Sequence, residues 1–212
     1  MRKGVILLAG GEGKRLGFKK QYLQLKGKPL YAHSLEKVID LFEEVILVLP
    51  EEDVEKVKVP GKVKKVCGGK ERQDSVFEGL LSAEADIVVI HDCARPFASK
   101  ELFLKVSDLG QFEGKICAIP VRDTLKQVSE GIVIKTVDRA GLWHSQTPQA
   151  FIRKVLLECH FRSRAEGFYA TDDAMLLERY GYKVGVVMGE ITNIKITYPE
   201  DLELARLLEI LL

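Results

Sequence analysis

Asparagine is almost missing from this chain. Asn193 is the single one in 212 residues, beside abundant Lys and Glu, a bias typical of heat-adapted proteins. Cysteine is also scarce. Cys67, Cys93, Cys117 and Cys159 include no C-x-x-C pair, which argues against a zinc or thioredoxin-like site and fits a reduced, cytoplasmic protein. Charge of one sign is absent. Lys and Arg number 32 against 31 Asp and Glu, so the net +1 gives no reason to expect nucleic acid or a membrane as partner. Any phosphate affinity must come from local clusters of cations. The apolar run at 5–8 is too short for a signal segment or a membrane span. No internal repeat or low-complexity tract occurs. What is present, 46% apolar and 30% charged residues, is ordinary for a soluble domain. A chain of this length fits one α/β domain and buries roughly 70% of its unfolded surface, so no disulfide or metal staple is required.

Short β-branched runs alternate with amphipathic stretches. Strands are expected at 5–8, 45–49, 63–67, 87–90, 116–121, 184–188 and 194–197, and helices at 28–40, 73–83, 100–109, 152–160, 172–180 and 199–211. In the second helix Val76, Phe77, Leu80 and Leu81 form the apolar stripe. Several strands are continuously apolar, as strands covered on both faces are. The alternation predicts a mostly parallel sheet with helices on both faces, with ligands beyond the carboxyl ends of its strands. One region breaks the pattern. Residues 125–129 and 132–137 read as two strands joined at Glu130-Gly131, and Ile132, Val133, Ile134 and Val137 put apolar side chains on both faces. An isolated hairpin is marginal in water, so it needs a surface on its own domain or on a second subunit.

Five segments carry chemistry. The first strand runs into Leu8-Ala9-Gly10-Gly11-Glu12-Gly13-Lys14-Arg15. Glycines let backbone N–H groups approach phosphate oxygens. No Gly-Lys-Ser/Thr closes a Walker A loop, and Leu16 stands where a dinucleotide fingerprint needs its third glycine. Pro50 ends the second strand where an acidic ribose partner belongs. Lys14, Arg15, Lys19 and Lys20 suit a triphosphate, against the alternative of a tight turn with solvated lysines. Gly68-Gly69-Lys70-Glu71-Arg72-Gln73-Asp74-Ser75 is a second glycine-rich turn, in which Asp74 or Ser75 could simply cap the following helix. His91-Asp92-Cys93-Ala94-Arg95 follows a buried strand. A carboxylate there suits Mg²⁺, which takes one or two carboxylates plus phosphate oxygens, unless Asp92 merely pairs with Arg95. His91 is either a general base or a satisfied histidine. Arg139 closes the hairpin and is suited to bidentate phosphate binding, unless it is a solvated turn residue. Lys195 lies in an apolar run, where its charge needs an anion or a route to solvent. Thr171-Asp172-Asp173 reads as a helix start rather than a metal site.

Together these segments resemble the 2-C-methyl-D-erythritol 4-phosphate cytidylyltransferases of the non-mevalonate isoprenoid pathway. The resemblance spans essentially the whole chain. It rests on the first glycine loop with Arg15, Lys20-Gln21-Tyr22-Leu23, Gly69 to Ser75, His91 to Phe97, Arg122-Asp123-Thr124, Thr136 to Trp143, Thr147 to Phe151 and Asn193 to Lys195. It implies a Rossmann-like nucleotidyltransferase domain over residues 1–212, with a protruding β-hairpin arm at about 122–142 used for homodimerisation. The implied reaction joins CTP to 2-C-methyl-D-erythritol 4-phosphate with release of pyrophosphate. Arg15, Lys20 and Lys195 would hold the CTP phosphates and stabilise the transition state. Ala9, Gly10, Gly11, Gly69, Arg72 and Ser75 would form the nucleotide site, with Asp92 positioning Mg²⁺. Thr124, Arg139, Thr147 and Arg95 would bind the acceptor, Thr124 and Arg139 in the neighbour's site. The segment from Arg15 to Lys20 is shorter than usual, and Lys19 stands where the family commonly has proline, so either Lys19 or Lys20 could meet the phosphate. Ribitol 5-phosphate is the alternative acceptor; an NAD-dependent oxidoreductase and a non-catalytic nucleotide-binding module are the more distant rivals. The absence of a clear nucleophile–base pair fits the transfer, because the attacking phosphate oxygen is already largely ionised at neutral pH (second pKa ~6). Catalysis then reduces to positioning and charge neutralisation.

Overall fold

The structure, a computed structural model, describes residues 1–10 and 19–212, and of Lys20 the backbone alone. The chain runs β1 (Lys3–Leu8), β2 (Gln24–Leu25), β3 (Lys28–Pro29), α1 (Leu30–Val38), β4 (Glu44–Leu49), β5 (Val63–Cys67), α2 (Arg72–Ser82), β6 (Ile87–Asp92) and α3 (Lys100–Ser107). It continues through β7 (Gly114–Pro120), β8 (Leu125–Ser129), β9 (Ile132–Val137), β10 (Trp143–Ile152), α4 (Arg153–Ala165), α5 (Asp173–Arg179), β11 (Val184–Met188) and α6 (Pro199–Leu207).

Seven strands form one sheet in the order β11-β7-β10-β6-β1-β4-β5. Its neighbours are parallel except at β10, which runs antiparallel to both β6 and β7. Successive side chains of a strand point to opposite faces, and the apolar runs divide accordingly. Val5, Leu7, Val45 and Leu47 pack on one face with Leu35 and Val38 of α1 and Leu102, Phe103 and Val106 of α3. Ile6, Ile46, Val48, Val88 and Ile90 pack on the other with Val76 and Leu80 of α2, Leu156 of α4 and Leu177 of α5. Two covered faces explain why these strands show no polar alternation. Gly114 lies at the start of β7 beneath the Phe151 ring; a Cβ there would come within 2.6 Å of a ring carbon, so no larger residue fits without repacking.

Several sequence expectations are corrected. The run at 194–197 is not a strand. Ile196 is bonded through its N–H to the Ala94 carbonyl at 2.8 Å. Its side chain packs with Leu25, Leu30, Phe97 and Ala205, so its apolar character serves a third cluster rather than a ladder. Conversely, β10 carries no strand signal in its first half: Ser145, Gln146, Thr147, Pro148 and Gln149 are polar or ladder-breaking. Its pairing with β7 slips between Gln146 and Gln149, which accommodates the proline. Leu81 of α2 is exposed rather than part of the stripe, which Val76, Phe77 and Leu80 form. The helix expected from residue 28 begins at Leu30, because Lys28–Pro29 pairs with Gln24–Leu25 across a turn at Lys26-Gly27 (φ 49° and 73°).

β8 and β9 form a separate two-stranded sheet. Glu130 and Gly131 join them with φ 49° and 78°, the positive-φ pair that matches the twist of hairpin strands. Val128, Ile132, Val133 and Ile134 are all more than half exposed.

Candidate active site

The loops that follow β1, β5 and β6 are knitted together at the carboxyl edge of the sheet. Ala9 N–H donates to the Val48 carbonyl (2.9 Å), Gly68 N–H to Leu49 (2.8 Å) and Cys93 N–H to Leu8 (3.1 Å). Gly69 packs so closely on the first turn of α2 that a Cβ would fall 2.3 Å from Asp74 Cβ. Its N–H donates to Ser75 Oγ (3.2 Å), and that hydroxyl donates to the Glu71 carbonyl (3.2 Å). Ser75 therefore ties the second glycine turn to its helix. It does not cap the helix. Asp74 does so from inside, its carboxylate accepting from Glu71 N–H at 3.2 Å.

Asp92 ends β6 and is almost fully buried. Arg72 Nε donates to its Oδ1 (3.0 Å) and Lys195 Nζ to its Oδ2 (2.6 Å). Burial by itself would push the Asp92 carboxyl up; the Arg72 guanidinium and the Lys195 ammonium outweigh it and hold the group well below the ordinary carboxylate range. Asp92 is thus an ionised carboxylate between two cations. The alternative pairing with Arg95 is not formed. Arg95 Nη1 donates instead to the Asn193 carbonyl (2.7 Å), bracing the segment that carries Lys195. Lys195 finds its anion in Asp92, not within a strand.

His91 is fully buried and its two nitrogens are occupied. Nε2 lies 3.2 Å from the Arg95 carbonyl, and Nδ1 lies 3.1 Å from Thr147 Oγ1, which accepts from Asp92 N–H at 3.1 Å. A carbonyl can only accept, so the Nε2–H tautomer satisfies the chain and the Thr147 hydroxyl donates to Nδ1. Burial lowers the His91 pKa to about 3. His91 and Thr147 therefore orient the Asp92 backbone, and the general-base reading of His91 does not hold.

A second buried histidine carries a stability prediction. His160 of α4 is fully buried, and burial lowers its pKa from 6.5 to about 3. Between those values the unfolded chain binds a proton that the folded chain refuses, so stability falls as pH drops through 6.5. At about pH 5 the cost is about 2 kcal/mol relative to pH 7.5. Urea unfolding should show the acid-induced loss to be smaller by about that amount in His160→Gln. An unchanged loss would assign the acid sensitivity elsewhere.

Arg72, Asp92, Arg95, Thr147 and Lys195 line one pocket with Ser145, Gln149, Thr171 and Asp172. Thr124 and Arg139 do not line it; both are exposed at the base of the hairpin, where Arg139 Nη1 donates to the Arg122 carbonyl. Gly11, Arg15 and the Lys20 side chain lie outside the described residues. Lys19 is committed to Glu52 (2.5 Å) and Asp53 (2.7 Å). The family model described as IspD, 2-C-methyl-D-erythritol 4-phosphate cytidylyltransferase, matches residues 4–209. The chain belongs to this family. It is 66% identical over 201 residues to the 2-C-methyl-D-erythritol 4-phosphate cytidylyltransferase of Aquifex aeolicus, covering 95% of this chain and 94% of that one. It is 41% identical over 216 residues to the enzyme of the same name from Syntrophus aciditrophicus, covering 94% and 92%. The crystal structure of the Thermus thermophilus enzyme superposes with a TM-score of 0.87 at 34% identity, covering 99% of this chain and all of that one. IspD membership rules out the oxidoreductase and the non-catalytic module.

In the pocket of this IspD-family chain, sequence reading missed Ser145, Gln149 and Asp172. Asp172 does cap α5, its Oδ1 accepting from Met175 N–H at 3.0 Å. Its Oδ2 also accepts from Ser145 Oγ (2.9 Å) and Gln149 Nε2 (3.0 Å), which makes it part of the pocket wall. Ser145 and Gln149 lie on the strand that had no sequence signal. No described helix is long and apolar enough to cross a membrane.

Proposed function

We propose that this IspD-family cytidylyltransferase works through the cationic pocket at the end of β6. In this reading Lys195, Arg15 and Lys20 hold the CTP phosphates, and the turns carrying Ala9, Gly10, Gly11, Gly69 and Ser75 receive the nucleoside. Lys20 is favoured over Lys19, whose charge is already taken by Glu52 and Asp53. The acceptor phosphate oxygen attacks the α-phosphorus in line and pyrophosphate leaves. The single observation that carries the proposal is the ionised Asp92 held between Arg72 and Lys195 in the pocket wall.

Mg²⁺ fits this donor set in one way only. Among the described residues no three of His, Cys, Asp and Glu cluster as a metal cage. A lone ionised carboxylate suits a cation whose remaining ligands are phosphate oxygens and water. Asp92 would hold the ion, which when bound supplies charge neutralisation on the triphosphate. Lys195 and Arg72 contribute fixed positive charge beside it. Arg95 and Thr147 receive the acceptor from this chain, and Thr124 and Arg139 receive it from the second subunit of a homodimer assembled through the 122–142 arm. The exposed apolar side chains of the hairpin support that assembly. A cytoplasmic location suits the buried free thiols and the soluble substrates.

Pyrophosphate release from CTP tests the reading, with 2-C-methyl-D-erythritol 4-phosphate and ribitol 5-phosphate as rival acceptors, with and without Mg²⁺. Release is expected with the first acceptor and only in the presence of a divalent cation. Equal or faster turnover of ribitol 5-phosphate would reassign the substrate. Full turnover in chelator would remove the metal from the site.

A further inference from the structure

One buried carboxylate has no part in the reaction as described. Asp173, the first residue of α5, is 1% exposed, so no substrate can touch it. Its Oδ2 lies 2.9 Å from Arg72 Nη1. The same guanidinium donates through Nε to Asp92, so Arg72 lies between two carboxylates, hydrogen-bonded to Asp92 and ion-paired through Nη1 with Asp173. The third nitrogen, Nη2, is buried without a hydrogen-bond partner among the described residues, in a side chain that lines the pocket. Burial pushes the Asp173 carboxyl above its ordinary value and the Arg72 guanidinium opposes that; His160, with Nε2 3.9 Å from Oδ1, is neutral, so Arg72 is the cation that favours the ionised form of Asp173.

The energetics argue that this anion is not there for stability alone. A buried ion pair commonly stabilises no more than an apolar replacement of the same volume, because desolvation offsets the attraction. Geometry is what it supplies. A guanidinium is a rigid planar fork. Held by one carboxylate it can swing to a bidentate grip; held by two it keeps one orientation. We propose that Asp173 is a positioning residue, which draws Arg72 off Asp92 so that Asp92 engages Arg72 through Oδ1 alone and keeps Oδ2 on Lys195. Without Asp173, Arg72 closes on Asp92 with both forks and takes the carboxylate out of use. The inference rests on the cytidylyltransferase reading of the site.

A double-mutant cycle tests it. Asp173→Asn keeps the side-chain volume and removes the anion. It is expected to lower kcat by about 10–100-fold, the scale for loss of a partner that orients a charged site residue. CTP affinity measured by calorimetry should stay within about threefold, because Asp173→Asn removes no positive charge from the pocket. A merely structural lesion loosens the whole pocket and weakens CTP binding along with turnover. In the Arg72→Ala background Asp173→Asn should cost nothing further, since residues that act through one another are not additive. If Asp173→Asn does not fold, Asp173→Glu replaces it: the anion is kept but displaced by one methylene, and its smaller kcat loss should likewise vanish with Arg72→Ala. An equal fold-loss in both backgrounds overturns the positioning role and leaves the site intact as read. Wild-type kcat in Arg72→Ala overturns the positioning role and removes Arg72 from the site as well.

Discussion

Lys195→Ala should lower kcat by about 10²–10³-fold, the usual effect of deleting one transition-state charge contact. Lys195 Nζ sits 2.6 Å from Asp92 Oδ2, in the wall of the pocket proposed to take the triphosphate. Two effects add in the same direction. In the proposed reaction, the variant removes a cation from the place where negative charge is redistributed from the α-phosphorus to pyrophosphate. It also leaves Asp92 with Arg72 as its one ion-pair partner among the described residues, which alters how the carboxylate is presented. Folding should be weakened but not abolished, because the Lys195 side chain is about a third exposed and the buried Asp92 it leaves behind keeps its ion pair with Arg72. Steady-state pyrophosphate release and thermal melting, measured on the same preparation, separate the two. Near-wild-type turnover would take Lys195 out of the site; a collapse in melting temperature would make its role structural.

Two inactive variants should restore each other when they share a dimer. Arg139 and Thr124 lie at the base of the hairpin and do not line the pocket of their own chain, yet both are proposed to receive the acceptor. If the arm serves the neighbour, each site combines Asp92 from one chain with Arg139 from the other. An Arg139→Ala homodimer then has two sites lacking the acceptor's arginine, and its KM for the acceptor should rise far more than that for CTP. An Asp92→Asn homodimer has two sites lacking the metal's carboxylate. In a heterodimer of the two, both lesions fall in one composite site and the other site is undamaged. Purified by two different tags, that heterodimer should turn over at about half the wild-type rate, provided the sites act independently. If Arg139 served its own site, both sites would stay broken. Zero activity in a verified heterodimer sinks the shared-site model and leaves the cytidylyltransferase assignment standing.

The parts of this protein that were legible in the sequence are those governed by local chemistry. Continuous β-branched runs marked the parallel strands, because a strand covered on both faces cannot afford polar alternation. Gly69 and Asp92 stood out because a close backbone approach and a carboxylate at a strand end are visible residue by residue. β10 was illegible for the same reason. Its polar half and Pro148 contradict strand propensity, and it is held as a strand by its two neighbours in the sheet.

The alternation of strands and helices, the glycine turns and the identities of Asp92, Arg95, Thr147 and Lys195 were determined by the sequence alone. Their pairing was decided by the tertiary structure. Lys195 lies 103 residues from Asp92, and Asp173 reaches Arg72 from the start of α5. No local pattern records which buried charge meets which. In a low-dielectric interior each charge must find a partner, and only the packing of β6, α2, α5 and the 193–195 segment fixes whether Asp92 answers to Arg95, its near neighbour in sequence, or to Arg72 and Lys195.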